Sequence, residues 1–468
     1  MKLIALSPIH IGCGEIYNGL SFIREMNKIS VFETDRLLKT LGPKTALKSG
    51  EWISENVDII EKLNEEKKKY ANTKKQNEIK QRLQKQRRSF TLKSFLEKQG
   101  IPLNQIKDAC IYTIACKARI YNDCEIYPFI KQINKPYIPG SEIKGAIRNA
   151  LLYCYGCDHK EIQDFLKHAF QRMLDETIKI DKKTYTYAEI LKEVKNKQKP
   201  SYKLKNKLVK RVSNIEKELQ QSVFYIKPKD AKYDIMKFLQ IGDSVLLDPE
   251  EVLAVSYAEP FNISRRFRIF YEYLIPNTEI SLTEFKLETS IGKNEDVMSE
   301  KLEKMQCGKK QQGLIKDLNA ILEACHRFSQ DLIEEEIRFF EQHKQKGIIS
   351  QLEEIASQNT PKNPVIRIGK DEGYLSITVG LGIKKLMPAL YEDVLIHATK
   401  NKSYDSSHGG PLPKSRKLIA WEGREVTGGW MQLMADRQTA KNIQTTPSSK
   451  TNADLLKLQK KFKVRKLK

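Results

Sequence analysis

Apolar and polar positions fall into blocks whose period switches several times along the chain. The first ten residues, MKLIALSPIH, read as a strand ending in Pro8-Ile9-His10. SFIRE and ISVFE alternate as the arms of a hairpin meeting across Met26-Asn27-Lys28. Asp35 stands where it would cap a short helix, RLLKTL. From about residue 44 to 100 the composition shifts to Lys, Glu, Gln and Asn. This predicts a charged helical hairpin inserted into a sheet, because strand-like sequence resumes at IYTIACKARI. In PYIPGSEIKGAIRNALLY, Pro139 and Gly140 end an extended approach and Ser141 is a good N-cap. Ile143, Ile147, Ala150 and Leu151 then recur at helical spacing.

A second lysine-rich helical block runs from about 159 to 221. Strand-like sequence returns in YDIMKFLQIGDSVLL and VLAVSYAEPF, and RIFYEYLIP with EISLTEFKL reads as a hairpin joined through Pro276-Asn277-Thr278. Residues 297–358 carry helical spacing, and VIRIG, GYLSITVGLG and GGWMQLM read as strands. The closing LLKLQKKFKVRKLK, with seven basic and no acidic residues, reads as a mobile or weakly helical tail.

The expected fold class is α+β, since hairpins recur and long parallel runs are missing. Two βαβ-like halves emerge, each with a Gly-x-Gly turn, at Gly12-Cys13-Gly14 and Gly380-Leu381-Gly382. The expected domain organisation is an N-terminal domain over 1–155 and a helical insertion over 156–225. Sheet continues over 226–296, then a helical segment over 297–360, a C-terminal portion over 361–436 and a basic tail over 437–468.

Charge narrows the function. The 468 residues hold 82 Lys and Arg against 59 Asp and Glu, a net charge of +23. Such an excess suits a polyanion, because each neutralised phosphate releases condensed counterions. Lysine-rich solvated helices give the same total without binding anything. The eight cysteines are scattered, unlike a secreted disulfide scaffold, and no apolar run is long enough for a membrane span. The expected protein is soluble and cytoplasmic, and no motif asks for a cofactor.

Lys144 and Arg148 lie four apart near a helix N-terminus, where free N–H groups attract anions, and Gly145 leaves room for a close backbone. VIRIGKDEGYLS places Arg367 and Lys370 around Gly369, and Arg416 and Lys417 follow Lys414 in PLPKSRKLIAWEGREVTGGWMQL. No GxxxxGK[ST] phosphate loop occurs, so these bends suit a sugar-phosphate backbone better than a nucleotide.

SPIHIGCGE, IPGSEIKGAIRNALL, IGDS, IRIGKDEGYLSITVG and SRKLIAWEGREVTGGWMQL occur in this order. The sequence resembles RAMP-superfamily proteins of CRISPR type III-A (Csm) effector complexes, specifically the subunit that caps the CRISPR RNA 3′ end. The motifs cover about a fifth of the residues but span nearly the whole chain. The resemblance implies modified ferredoxin-like (RRM-like) domains with glycine-rich loops holding RNA. It implies CRISPR RNA, the backbone RAMP subunit and the small subunit as partners, with target RNA met indirectly. It also implies a role in CRISPR RNA maturation through recruited nucleases, in antiviral defence, without intrinsic catalysis. Carried over by motif, the RNA-facing residues are His10, Gly12, Gly14, Gly140, Ser141, Lys144, Gly145, Arg148, Arg367, Gly369, Lys370, Arg416 and Lys417. The two long helical insertions depart from the family pattern; they could dock another protein or extend a basic groove.

An alternative is a RAMP endoribonuclease acting on precursor or target RNA, with His10 as general base or Asp35 as the acidic group. A strand-end histidine, hydrogen-bonded to nearby backbone or stacking on a base, and a helix cap are the favoured readings of the two. Cys154 and Cys157 with His159 have partial metal spacing, but a structural zinc needs four ligands and no second pair occurs. His408-Gly409-Gly410 has no nucleophile elbow beside it, which argues against hydrolase chemistry.

Overall fold

A computed structural model describes residues 1–121, 123–196, 201–227, 230–262, 267–288, 313–398 and 415–434. His408-Gly409-Gly410, Lys414, the tail from 437 to 468 and the first part of the 297–358 segment lie outside the described residues.

The chain opens with β1 (Lys2–Ala5), then β2 (Phe22–Glu25) and β3 (Lys28–Phe32), which form the expected hairpin across Met26 and Asn27. Next come α1 (Thr34–Lys69), α2 (Lys75–Ser89) and α3 (Leu92–Gln99). RLLKTL forms the expected short helix: helical backbone stops at Gly42 (φ 76°), and a second helical stretch starts at Pro43 and continues to Lys69. A proline near a helix start loses no hydrogen bond, so the second stretch begins there without penalty. Leu63 of α1 and Ile79 and Leu83 of α2 close the hairpin.

After β4 (Cys110–Cys116) and β5 (Ile126–Tyr127), a small ribbon of β6 (Lys131–Gln132) and β7 (Lys135–Pro136) leads into α4 (Gly140–Asp158). α5 (Lys160–Asp175), the hairpin β8 (Thr177–Ile180) and β9 (Lys183–Thr186), α6 (Tyr187–Asn196) and α7 (Tyr202–Phe224) follow. Leu204, Leu208, Val212, Ile215, Leu219 and Val223 make one buried stripe on α7, while Lys203, Lys207, Lys210 and Lys217 are exposed.

The middle of the chain gives β10 (Leu239–Ile241), α8 (Pro249–Val252), β11 (Leu253–Phe261), β12 (Ile269–Leu274), β13 (Glu279–Ser281) and β14 (Phe285–Leu287). RIFYEYLIP and EISLTEFKL do not pair with each other. β12 runs antiparallel to β11, whereas β13 joins β1, because the intervening turn is captured by the first strand. Asn277 (φ 65°) donates its N–H to the Ala5 carbonyl at 2.7 Å.

The remaining helices are α9 (Leu318–Gln342), α10 (Lys346–Gln358), α11 (Tyr374–Ile377), α12 (Gly380–Leu386) and α13 (Pro388–Asp393). The remaining strands are β15 (Val365–Arg367), β16 (Arg416–Trp421), β17 (Arg424–Val426) and β18 (Trp430–Met434). GYLSITVGLG is thus two short helical turns rather than a strand. Its β-branched alternation is overridden by hydroxyls: Ser376 and Thr378 donate to the carbonyls of Glu372 and Tyr374, four residues back. Gly380 and Gly382 accordingly lie in a helix and do not repeat the Gly12–Gly14 turn.

Two sheets carry the α+β body. One has the order β13-β1-β18-β15 and is antiparallel throughout, so the first strand lies beside the last described one (Leu3 opposite Leu433). The other runs β17-β16-β11-β4-β3-β2, with β12 along the free edge of β11 and β5 parallel to β12. Fully buried side chains of α4 (Ile143, Ile147, Ala150) and α9 (Leu332, Ile333, Phe340) share one core with both sheets. Among the described residues no helix is long and apolar enough to cross a membrane.

Candidate nucleic-acid interface

At α4 the IPGS and IGDS motifs are two halves of one backbone joint. Ile138 N–H donates to Ser244 Oγ and Ser244 N–H returns to the Ile138 carbonyl, each at 2.9 Å. Pro139, not Ser141, is the N-cap, and Gly140 N–H donates to Asp243 Oδ1 at 2.8 Å. A Cβ on Gly140 would stand 2.4 Å from the Ile241 carbonyl oxygen, so that glycine serves a protein–protein backbone approach. The anion that a helix N-terminus attracts is here the Asp243 carboxylate. Arg148 is also committed internally, paired with Asp234 and lying 4.7 Å over the Phe224 ring. Ser141 and Gly145 are exposed, and a Cβ on Gly145 would meet nothing within 4 Å. Lys144 is half-buried; desolvation lowers its pKa while the Asp234 charge raises it.

A second group of predicted residues does converge. Lys370 N–H donates to the His10 carbonyl at 2.9 Å, which ties the loop after β15 to the loop after β1. Gly369 has φ 90° and a Cβ there would stand 2.4 Å from the His10 carbonyl, so only glycine fits. Gly12 bridges Phe129, and Gly14 (φ 89°) turns the chain in open space. The Lys370 side chain points into solvent. Near it Lys417 reaches Asp371 at 2.8 Å, and Tyr273 Oη donates to the same carboxylate at 3.3 Å.

His10 itself is 4% exposed. Its Nδ1 lies 2.8 Å from the Glu272 carbonyl and therefore carries the proton. Burial pushes the imidazole down to about 4, against the opposing pull of that carbonyl, so the ring is neutral at pH 7. It packs 4.5 Å from Tyr271, which in turn lies 5.4 Å from Tyr127.

Arg367 and Arg416 are not at this surface, contrary to the sequence expectation. Both are buried on one carboxylate: Arg416 Nε is 2.6 Å and Arg367 Nη1 3.4 Å from Glu336 of α9. Arg367 also covers Trp430 at 4.6 Å and donates to the Gly428 carbonyl at 3.0 Å, while Arg416 lies over Phe339. The sequence reading missed Glu336, Asp371 and Glu272. Glu272 is fully buried and accepts from Tyr112 Oη and Phe129 N–H, each at 2.8 Å, and from Lys131. The legible signal was an acid in the middle of the apolar run FYEYL, where an unpaired charge is not tolerated.

Asp35 is not a cap. Glu33 holds that position, and Asp35 sits exposed in the first turn of α1, where its charge complements the helix dipole. Cys154 is buried, its thiol pushed up to about 12 by burial and donating to the Ala324 carbonyl. Burial also raises the Cys157 thiol, and the His159 ring stacks on Tyr155 at 4.0 Å. Among the described residues no three His, Cys, Asp or Glu side chains are grouped to hold a metal.

Two sheets share one core with α4 and α9, and the Gly14 and Gly369 bends lie in the loops that follow β1 and β15. Residues 2–331 match the RAMP superfamily, and the chain belongs to it. It is 26% identical over 250 residues to the CRISPR system Cms protein Csm5 of Methanocaldococcus jannaschii, covering 53% of this chain. The aligned part spans 43% of that relative's length. The fold resembles a chain of a Csm–crRNA–target RNA ternary complex of a type III-A CRISPR-Cas system, at TM-score 0.55 and 20% identity, covering 92% of this chain and 98% of the other. It resembles T. onnurineus Csm5 equally, at TM-score 0.55 and 19% identity, covering 92% and 100%. The resemblance drawn from the motifs agrees with these relatives.

Proposed function

We propose that this chain is a non-catalytic RNA-binding subunit of a type III-A Csm complex, holding the 3′ region of the CRISPR RNA and capping the filament of backbone subunits. The two sheets are then remodelled ferredoxin-like units. CRISPR RNA, the backbone RAMP subunit and the small subunit are its direct partners, target RNA is met indirectly, and host nucleases recruited to the particle finish the RNA end. The observation that carries this reading is the junction of the His10–Gly14 and Gly369–Gly373 loops through the Lys370–His10 hydrogen bond. It joins the loop of the exposed Lys370 and Gly373 to the loop of the exposed Gly14, and an exposed cation with exposed glycine bends suits a ribose-phosphate strand. Membership of the RAMP superfamily and the fold likeness to Csm proteins support it further.

Replacing Lys144 and Lys370 together with Ala tests the site. Single-stranded RNA should lose about 0.7 in log–log salt slope per phosphate contact removed, or about 1.4 for the pair. An unchanged affinity and slope would remove both residues from the RNA path. The endoribonuclease alternative fares worse on His10, since an imidazole with pKa about 4 is a weak general base near neutrality. Labelled RNA incubated with the protein, with and without magnesium, should stay intact; defined products lost on His10→Ala would reverse that assignment.

A further inference from the structure

α1 departs from the charge of the whole molecule. Between Lys48 and Lys62 it carries Glu51, Glu55, Asp58 and Glu61 and no basic residue, on a chain whose net charge is +23. All four carboxylates are exposed, and no ion pair engages any of them among the described residues, although the basic α2 packs alongside. Interleaved with them are large apolar side chains left in solvent: Leu47 (68% exposed), Val57 (39%) and Ile59 (43%). The inner face of the same stretch, Ser49, Trp52 and Asn56, is buried, so the outer face is a surplus beyond what closing the hairpin requires. RNA is repelled by such a face. A basic, apolar polypeptide fits it.

The chain contains one. Residues 455–468, LLKLQKKFKVRKLK, hold seven basic and no acidic side chains, with Leu455, Leu458 and Phe462 at the spacing of one helix face. Twenty residues, 435–454, separate that segment from the end of β18. Such a connection spans up to roughly 65 Å when extended. A domain of this length has a radius of gyration of roughly 23 Å, so the connection can cross it. We infer that the outer face of α1 between Leu47 and Glu61 is the docking site of the chain's own segment 455–468. In the absence of other partners the acidic strip holds the basic segment through charge, and the apolar residues fix its position.

Zero-length carbodiimide coupling, which joins a carboxylate to a lysine amine in direct contact, tests this on the full chain. The expected products link Glu51, Glu55, Asp58 or Glu61 to lysines of 455–468 within the monomer band. Leu47→Lys/Val57→Lys keeps all four carboxylates but adds repulsive charge, and should lower that yield at least fivefold, as should 0.5 M salt. Circular dichroism checks that the variant stays helical; should it unfold, a synthetic 455–468 peptide competing the intact protein's links away serves the same end. Links confined to a dimer band would assign the face to a second copy. Coupling of the segment elsewhere, or a yield insensitive to both salt and the double substitution, would overturn the proposal.

Discussion

The charges at single residues divide into those that hold the fold and those left for a partner. Glu336 is the anchor of the first kind, since two buried guanidiniums lean on it. Glu336→Ala removes the carboxylate that both share and should destabilise the chain by about 3–5 kcal/mol in urea unfolding. Arg148→Ala, which frees Asp234, should likewise lower stability and leave the RNA salt slope alone. That separates it from Lys370→Ala, which should do the reverse. His10 gives a pH signature. Its folded pKa of about 4 lies below the ordinary 6.5, so its contribution, about 3 kcal/mol, is complete above pH 6.5 and is lost as pH falls toward 4. Glu372 opposes it: burial pushes that carboxyl up to about 8, so its contribution is lost as pH rises. The test is therefore the difference between wild type and His10→Phe, which should shrink steadily between pH 6.5 and 4.

Among the elements, two glycines of one motif have opposite duties. Gly140→Ala drives a methyl against the Ile241 carbonyl and should cost about 1–3 kcal/mol of stability through overpacking of the joint. Gly145→Ala has free space and should stabilise α4 by up to about 1 kcal/mol in thermal unfolding. If a strand of RNA passes there, the same variant loses RNA affinity while gaining stability. The sequence placed α4, the first hairpin and the β11 and β12 strands, because each has an unbroken period over several residues. It misread GYLSITVGLG and the β12–β13 connection for one reason: local alternation carries no information about which hydroxyl or distant strand will take up the backbone groups. The candidate site was legible in part. His10, Gly369 and Lys370 do meet, but a basic residue beside glycine looks the same in sequence whether it faces solvent or, like Arg367, a buried carboxylate.

Across the whole molecule, the net charge of +23 is not spread evenly. Lysine-rich α2 and α7 turn cations outward, while the outer face of α1 is acidic. The loops joining the two sheets carry the exposed main chain. On the proposed role, these loops lie against RNA in the assembled particle. Photocrosslinking of 4-thiouridine-labelled CRISPR RNA in that particle, with the attachment sites read by mass spectrometry, measures this most directly. Adducts within Gly12–Gly14 and at Lys370, formed by nucleotides of the 3′ region, are the predicted result. Adducts confined to other surfaces of the chain, or none on it while its neighbours are labelled, would contradict it.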